Sequence, residues 1–402
     1  MRLFNLGVLA AAALWLSACA SVAPPLPVAT AAPRLTIMMS IDAFRPDYLA
    51  RGITPNLSAI AAEGVRATSV KPSFPSITFP NHYTLITGLR PDHHGLVNNV
   101  MNDPVLGHFD KPSDDPRWFS GGVPLWTTAE QAGIKSASVY WPGSIVPVNG
   151  IRPSYWAAFK KSAANDRVDM LLAWLDLPAG QRPQFATLYI DEVDIAGHEF
   201  GPVSPQVNTA VVSVDSAIGR LIDGLNARGL WATTNLAVMS DHGMAPIDPK
   251  RIDYLDDLID PSIAKAVNPG PFTSFVPEPG QEARAEAILL APHPNLQCWR
   301  KDNVPARFVY GKNLRVTPIV CLSNIGSEVR PKGGRIGGGD HGFDPADTNM
   351  QAFFVARGPA FRHGAVLAPI DNVDIYPLMA KVLGVTPSPN DGNPAHTAGA
   401  LR

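Results

Sequence analysis

The 402-residue chain has no run of lysine or arginine, and its 33 basic and 35 acidic residues leave a formal charge of −2. That balance argues against a groove that holds duplex nucleic acid by electrostatics, whereas small phosphate ligands need no such field. Cysteine is scarce: there are three, none in a Cys-x-x-Cys or Cys/His pattern that would bind zinc. No internal repeat is evident. The apolar stretch from Leu3 to Leu16 is too short to span a bilayer. Charged residues make up only 17% against 46% hydrophobic, which fits a globular protein with a large core. Forty prolines and 33 glycines, set among recurring apolar runs, indicate ordered loops rather than a disordered chain.

Arg2 followed by Leu3–Leu16 reads as the core of an export signal. Leu16-Ser17-Ala18-Cys19 resembles the lipobox of bacterial lipoproteins, with Cys19 as the lipidated first mature residue; ordinary cleavage after Ala18 or Ala20 is the alternative. The expectation is a signal peptide over 1–18 and an Ala/Pro-rich tether over 19–33. The protein would then be exported to the periplasm and touch a membrane only through its lipid. Ala20 in place of an acidic residue points to the outer membrane by the same resemblance. In an oxidising compartment Cys298 and Cys321 would form one disulfide, two buried thiols being the alternative.

Beyond the tether, strands and helices alternate. Arg34–Ile41, Ser136–Tyr140, Phe185–Ile190, Asn235–Ser240, Phe308–Tyr310 and Gln351–Ala356 read as strands. Pro46–Gly64, Phe79–Thr87, Val168–Leu177, Ser204–Arg228 and Ile375–Leu383 read as helices. This alternation predicts an α/β fold with a mostly parallel sheet covered on both faces, as one catalytic domain over 34–395. Residues 248–339 mix helical and strand signals and could form a small lobe.

In such a sheet, ligands bind beyond the carboxyl ends of strands. Asp42, Asp194 with His198, and Asp241–His242 all follow strand ends, and His341 lies in a glycine-rich segment. Each has a blander alternative: Asp42 as a helix cap, for example, and His341 as a loop histidine. Gly197 between Asp194 and His198 favours a loop there over a helix. Taken together, three carboxylates and three imidazoles can hold two divalent metals, and two metals suit phosphoryl chemistry. Zinc fits this mix of oxygen and nitrogen donors best, magnesium and calcium prefer all-oxygen shells, and manganese or iron stays open. Thr78, at a helix start, is the candidate nucleophile or simply an N-cap; Ser73 and Ser76 are rivals.

The segments TFPNHYTLITGLRPDHHG from Thr78, VYWPGS from Val139, DEVDIAGHEFGP from Asp191, SDHGM from Ser240 and GGDHGFD from Gly338 carry a resemblance. Together they resemble the nucleotide pyrophosphatase/phosphodiesterases of the alkaline phosphatase superfamily, in order, over roughly residues 35–385. The resemblance implies an alkaline phosphatase-like α/β/α sandwich and two Zn2+. It assigns Thr78, Asp42, Asp241 and His242 to one ion, and Asp194, His198 and His341 to the other. It makes Thr78 the nucleophile and Asn99 a donor to a phosphoryl oxygen. Phe79, Tyr189 and Phe159 would bind the base of a small nucleotide diester, and His82, His93 and His94 would lie outside the ligand set. Phe79 next to Thr78, where an alkaline phosphatase would set an arginine over the phosphate, favours diesters. A phosphomonoesterase or a phospholipid or glycerophosphodiester hydrolase of the same superfamily is the alternative. Oligomeric state, and any phosphate contact by Lys111 or Arg117, are left open.

Overall fold

Burial on both faces is what the central strands of this computed structural model have in common. It describes residues 35–110 and 113–402, so the signal, Cys19, the tether and Lys111 lie outside the described residues. The twelve strands that matter here are β1 (Thr36–Ile41), β2 (Val65–Ala67), β3 (Ser136–Val139), β4 (Tyr155–Ala157), β5 (Phe185–Ile190), β6 (Asn235–Met239), β7 (Ala264–Val267), β8 (Phe272–Pro277), β9 (Leu296–Arg300), β10 (Ile319–Ser323), β11 (Phe354–Arg357) and β12 (Ala365–Leu367). The main helices are α1 (Pro55–Glu63), α2 (Thr78–Thr87), α3 (Leu125–Gln131), α4 (Ala164–Leu175), α5 (Glu192–Phe200), α6 (Pro205–Ala227) and α7 (Ile375–Leu383).

An eight-stranded sheet runs in the order β12-β2-β11-β6-β1-β5-β3-β4, and only β11 opposes the rest. The side chains of β1 alternate between two cores. Ile37, Met39 and Ile41 pack with apolar residues of α1, α4 and α6, while Met38 joins those of α2, α3 and α7. This is the expected α/β/α sandwich. In α6, Val207, Val211, Val214, Ile218, Leu221 and Leu225 recur every three or four residues and supply the buried stripe. Its start was legible: Ser204 Oγ accepts from the Val207 N–H, and Pro205 follows at the first helical position. β1 lies between β5 and β6, with Ile41 level with Ile190 and Ser40 level with Met239. Three carboxyl ends therefore lie side by side.

Several local expectations change. Pro46–Gly64 is not one helix: a 3-10 turn over Pro46–Arg51 ends at Gly52, in the left-handed region at φ 73°, before α1 begins at Pro55. Phe308–Tyr310 is not a strand but the end of a 3-10 turn, Ala306–Phe308, followed by Val309 at φ 48°. Its aromatic content serves packing, since Phe308 stacks on Phe74 at 4.1 Å. The stretch from Asp194 to His198 is helical, inside α5, despite Gly197. Gly197 is needed there for space: a Cβ would sit 2.9 Å from Met244 Cε and 3.2 Å from its Cγ.

Within 248–339, β7-β8-β10-β9 form a separate antiparallel sheet. Cys298 and Cys321 face each other across β9 and β10 and are disulfide-bonded. Among the described residues no helix is long and apolar enough to cross a membrane.

Asp215 of α6 ties two helices together: its buried carboxylate accepts the Asn56 N–H at 3.1 Å and the Leu57 N–H at 2.8 Å, at the start of α1. Asp215→Ala should cost about 1–3 kcal/mol, because it strands two N–H donors at once. Urea denaturation measures this, and an unchanged midpoint would show that the cap contributes nothing.

Candidate active site

Asp42 is the first residue after β1, Asp241 follows Ser240 after β6, and α5 brings Asp194 and His198 in after β5. His341 arrives from far along the chain by a short antiparallel pairing, Ala245 with Asp340 and Pro246 with Gly339. That pairing stacks the His242 and His341 rings at 3.8 Å, with His198 4.9 Å beyond His341. Gly243 makes the approach possible, since a Cβ there would lie 2.1 Å from the Asn349 carbonyl oxygen. All six residues expected to gather do so.

Their orientation follows one rule. Each imidazole directs Nδ1 at a backbone carbonyl: His242 to Gly243 at 2.9 Å, His341 to Ser76 at 2.9 Å, and His198 to Gly339 at 3.2 Å. Nδ1 therefore carries the proton, and Nε2 is left as the ligand atom. Two carboxylates behave alike. Asp42 Oδ2 accepts from the Tyr189 hydroxyl at 2.6 Å, and Asp241 Oδ1 from the Ala43 N–H at 3.3 Å. Asp42 Oδ1 is buried without a hydrogen bond, 3.4 Å from His242 Nε2, and Asp241 Oδ2 lies 3.0 Å from the same nitrogen. Asp194 Oδ1 lies 3.4 Å from His198 Nε2 and 3.7 Å from His341 Nε2. Burial, reinforced by the neighbouring carboxylates of Asp241 and Asp194, pushes the Asp42 carboxyl well above the usual range. Burial also raises Asp241, but the His242 and His82 imidazoles outweigh it and hold that group low. Buried, pre-oriented oxygen and nitrogen donors that repel one another fit divalent cations.

Thr78 is the first residue of α2. The cap position belongs to Ile77, and the threonine hydroxyl makes no cap bond. It stands 3.3 Å from His242 Nε2 and borders a cavity. The rival hydroxyls are both turned away: Ser73 donates to Asn372 Oδ1 and Ser76 to the Phe343 carbonyl. Asn99 Oδ1 accepts from the Phe79 N–H at 2.9 Å, so this side chain is fixed beside the start of α2. His82 lies close enough to Asp42 and Asp241 to resemble a ligand. Both its nitrogens are occupied, however: Nδ1 meets the Thr78 carbonyl at 2.9 Å and Asp241 Oδ2 at 3.2 Å, and Nε2 meets Ser40 Oγ at 2.8 Å. It braces the site. His94 is buried between Thr84 and Pro80, where burial pushes its imidazole down to about 3, and His93 pairs with Asp391 at the surface. Arg117 is engaged by Asp115.

The cavity beside Thr78 measures about 370 Å³ and is walled by Phe79, Phe159 and Tyr189, as expected, and also by Tyr140, Trp141 and Ile195. Phe159 lies 5.6 Å from Tyr140 and 6.3 Å from Tyr189, half-exposed at the rim. Sequence reasoning noted the segment carrying Tyr140 and Trp141 but gave those two no role. The missed signal is conformational: Tyr140 sits at φ 65°, unusual for a bulky residue. Fully buried Arg167 also went unnoticed. It bonds the Tyr189 carbonyl and Asp191 Oδ1, behind the aromatic wall.

Residues 36–344 match the family described as type I phosphodiesterase/nucleotide pyrophosphatase. The chain belongs to that family. As a nucleotide pyrophosphatase/phosphodiesterase it is a hydrolase. It is 37% identical over 384 residues to an uncharacterized pyrophosphatase/phosphodiesterase of Schizosaccharomyces pombe, covering 89% of this chain and 78% of that one. To the bovine bis(5'-adenosyl)-triphosphatase ENPP4 it is 35% identical, covering 92% and 82%. It is also 37% identical to mouse ectonucleotide pyrophosphatase/phosphodiesterase family member 3, but spans only 43% of that longer protein. Among solved structures it superposes with a TM-score of 0.88 on murine ectonucleotide pyrophosphatase/phosphodiesterase 5, in an inactive threonine-to-alanine form in complex with AMP. That match has 32% identity and covers 92% of this chain and all of the other.

If the oriented donor set holds metal in the folded phosphodiesterase only, exhaustive chelation should lower the thermal midpoint by about 5 °C or more. Zinc should restore it. A midpoint indifferent to both treatments would count against a metal centre.

Proposed function

We propose that this protein is an exported, zinc-dependent phosphodiesterase/pyrophosphatase. It would cleave nucleotide diester or pyrophosphate bonds through a covalent threonine intermediate and release 5′-nucleoside monophosphates. The observation that carries the reading is Thr78: an uncapped hydroxyl at a helix start, between an aromatic cavity and the Asp/His cluster. Asp42, Asp241, His242 and Thr78 would hold one ion, and Asp194, His198 and His341 the other. Two bound zinc ions would lower the pKa of the threonine hydroxyl and offset charge gathering on the phosphoryl oxygens.

The chain's own groups do the rest. The Thr78 hydroxyl gives its proton to solvent, its oxygen attacks phosphorus in line, and the P–O bond to the leaving alkoxide or phosphate breaks, the leaving oxygen taking the bonding electron pair. The Asn99 amide, held by the Phe79 N–H, donates to a non-bridging oxygen. The start of α2 favours the developing negative charge. Phe79, Tyr189 and Phe159 clasp the base while the nucleotide is bonded to Thr78, and water then hydrolyses that ester. Aromatic walls and no arginine along the cavity favour a diester over a monoester. Related proteins act in this direction: one relative is a bis(5'-adenosyl)-triphosphatase, and a structural neighbour carries AMP. The "ecto" in several relatives' names accords with export, and Cys19 would supply the lipid anchor to the outer membrane. Residues 34–395 would form the single catalytic domain, with 248–339 as its small lobe.

Thr78→Ala should reduce kcat by about 10³-fold or more while metal content stays at about two ions per chain. The natural protein should hydrolyse the 4-nitrophenyl ester of thymidine 5′-monophosphate faster than 4-nitrophenyl phosphate. A fully active Thr78→Ala protein, or a preference for the monoester, ends the proposal.

A further inference from the structure

A second concavity, of about 390 Å³, also borders the Asp/His cluster, at Asp194 and His198. Asp194 and Ile195 border both it and the aromatic cavity, so the two spaces meet at that carboxylate. Their chemistry differs. The first is walled by rings, whereas the second carries His198, Arg330 and Arg335.

The cluster has a direction. Thr78 Oγ is 3.3 Å from His242 Nε2; the His242 and His341 rings stack at 3.8 Å, and the His198 ring lies 4.9 Å from that of His341. These successive contacts link Thr78, at the aromatic cavity, to an imidazole that borders the arginine-bearing groove. In-line displacement requires the leaving group to depart on the side of phosphorus opposite the attacking oxygen. With Thr78 attacking and the nucleoside in the aromatic cavity, departure is toward His198 and the groove.

The two arginines are held differently. Arg330 is half-buried and locked by Glu328 at 2.5 Å and Asp340 at 3.4 Å. Arg335 has a side chain 73% exposed, and its contact is an ion pair at 3.0 Å with Glu199, itself 41% exposed. Such a surface pair is worth only about 0–1 kcal/mol, so its guanidinium can exchange the glutamate for a phosphate at little cost.

We propose that this groove is a leaving-group subsite for anionic phosphates, with Arg335 as the group that binds the departing phosphate and Glu199 as its resting partner. The assignment rests on the diesterase reading and adds to it a basis for preferring pyrophosphate-linked substrates over diesters with an uncharged leaving portion. Arg335 would act on substrates whose leaving group carries phosphate, such as nucleoside triphosphates or nucleotide sugars. A 4-nitrophenyl leaving group offers it nothing to bind.

The test is a ratio. For each protein, kcat/KM is measured on thymidine 5′-triphosphate and on the 4-nitrophenyl ester of thymidine 5′-monophosphate, which share the nucleoside and differ in the leaving group. Arg335→Ala should lower the triphosphate-to-ester ratio about five- to tenfold, the scale of one charge-assisted hydrogen bond. Arg335→Lys should recover part of it, and Glu199→Gln, which releases the arginine, should raise it. A ratio unmoved by both Arg335→Ala and Glu199→Gln, or moved in the same direction by both, overturns the subsite. Failure of the diesterase reading looks different: the natural protein would then not turn over the 4-nitrophenyl ester at all. In that event the subsite falls with the reading on which it rests.

Discussion

Everything at this site depends on the repulsion among carboxylates that the fold buries at one sheet edge. Asp42 and Asp241 lie within the reach of a single imidazole, 3.4 and 3.0 Å from His242 Nε2, and burying two carboxylates this close costs free energy unless positive charge offsets it. A chain that tolerates this must gain from it elsewhere. The carbonyls of Gly243, Ser76 and Gly339 turn three imidazoles the same way round, and a hydrogen bond on the second oxygen steadies Asp42 and Asp241. The cluster is prepared for cations before any arrive.

Much of the surrounding architecture serves that preparation. β1 between β5 and β6 sets three strand ends level, and the Ala245–Pro246 pairing returns a distant segment so that His341 closes the set. Gly243 and Gly197 appear where side chains would block the packing of segments that carry the ligands. His82 links the start of α2 to Asp241 and to β1, and so fixes Thr78 relative to the cluster.

Tyr189 joins recognition to this machinery. Its ring walls the aromatic cavity while its hydroxyl bonds Asp42. Arg167, buried behind it, holds the Tyr189 carbonyl and Asp191. The cavity wall and the cluster are therefore joined through one side chain. A neighbouring groove that shares Asp194 with the aromatic cavity is of another character, with arginines in place of rings.

Much of this was legible in residue order. Short, largely apolar runs such as Phe185–Ile190 read as strands covered on both faces, and the period of α6 together with Ser204-Pro205 marks a helix and its start. Asp42, Asp194, His198, Asp241, His242, His341 and Thr78 stand out because ionisable and hydroxyl groups after apolar strands need a reason to be there. Local propensity misled where space decided: Gly197 looks like a helix breaker, yet it sits inside α5 because Met244 leaves no room for a Cβ. It misled again at Phe308–Tyr310, whose rings pack on Phe74 without any strand. The chain by itself determined the sandwich and the residue types of the site, since periodicity and burial are written into neighbouring residues. Tertiary structure alone decided that the Thr78 hydroxyl makes no cap bond, what His82 braces, and which atom of each imidazole and of Asp42 and Asp241 faces inward. Most of those outcomes turn on contacts between distant segments, such as His341 with Ser76, Tyr189 with Asp42 and His82 with Ser40, which no local pattern encodes.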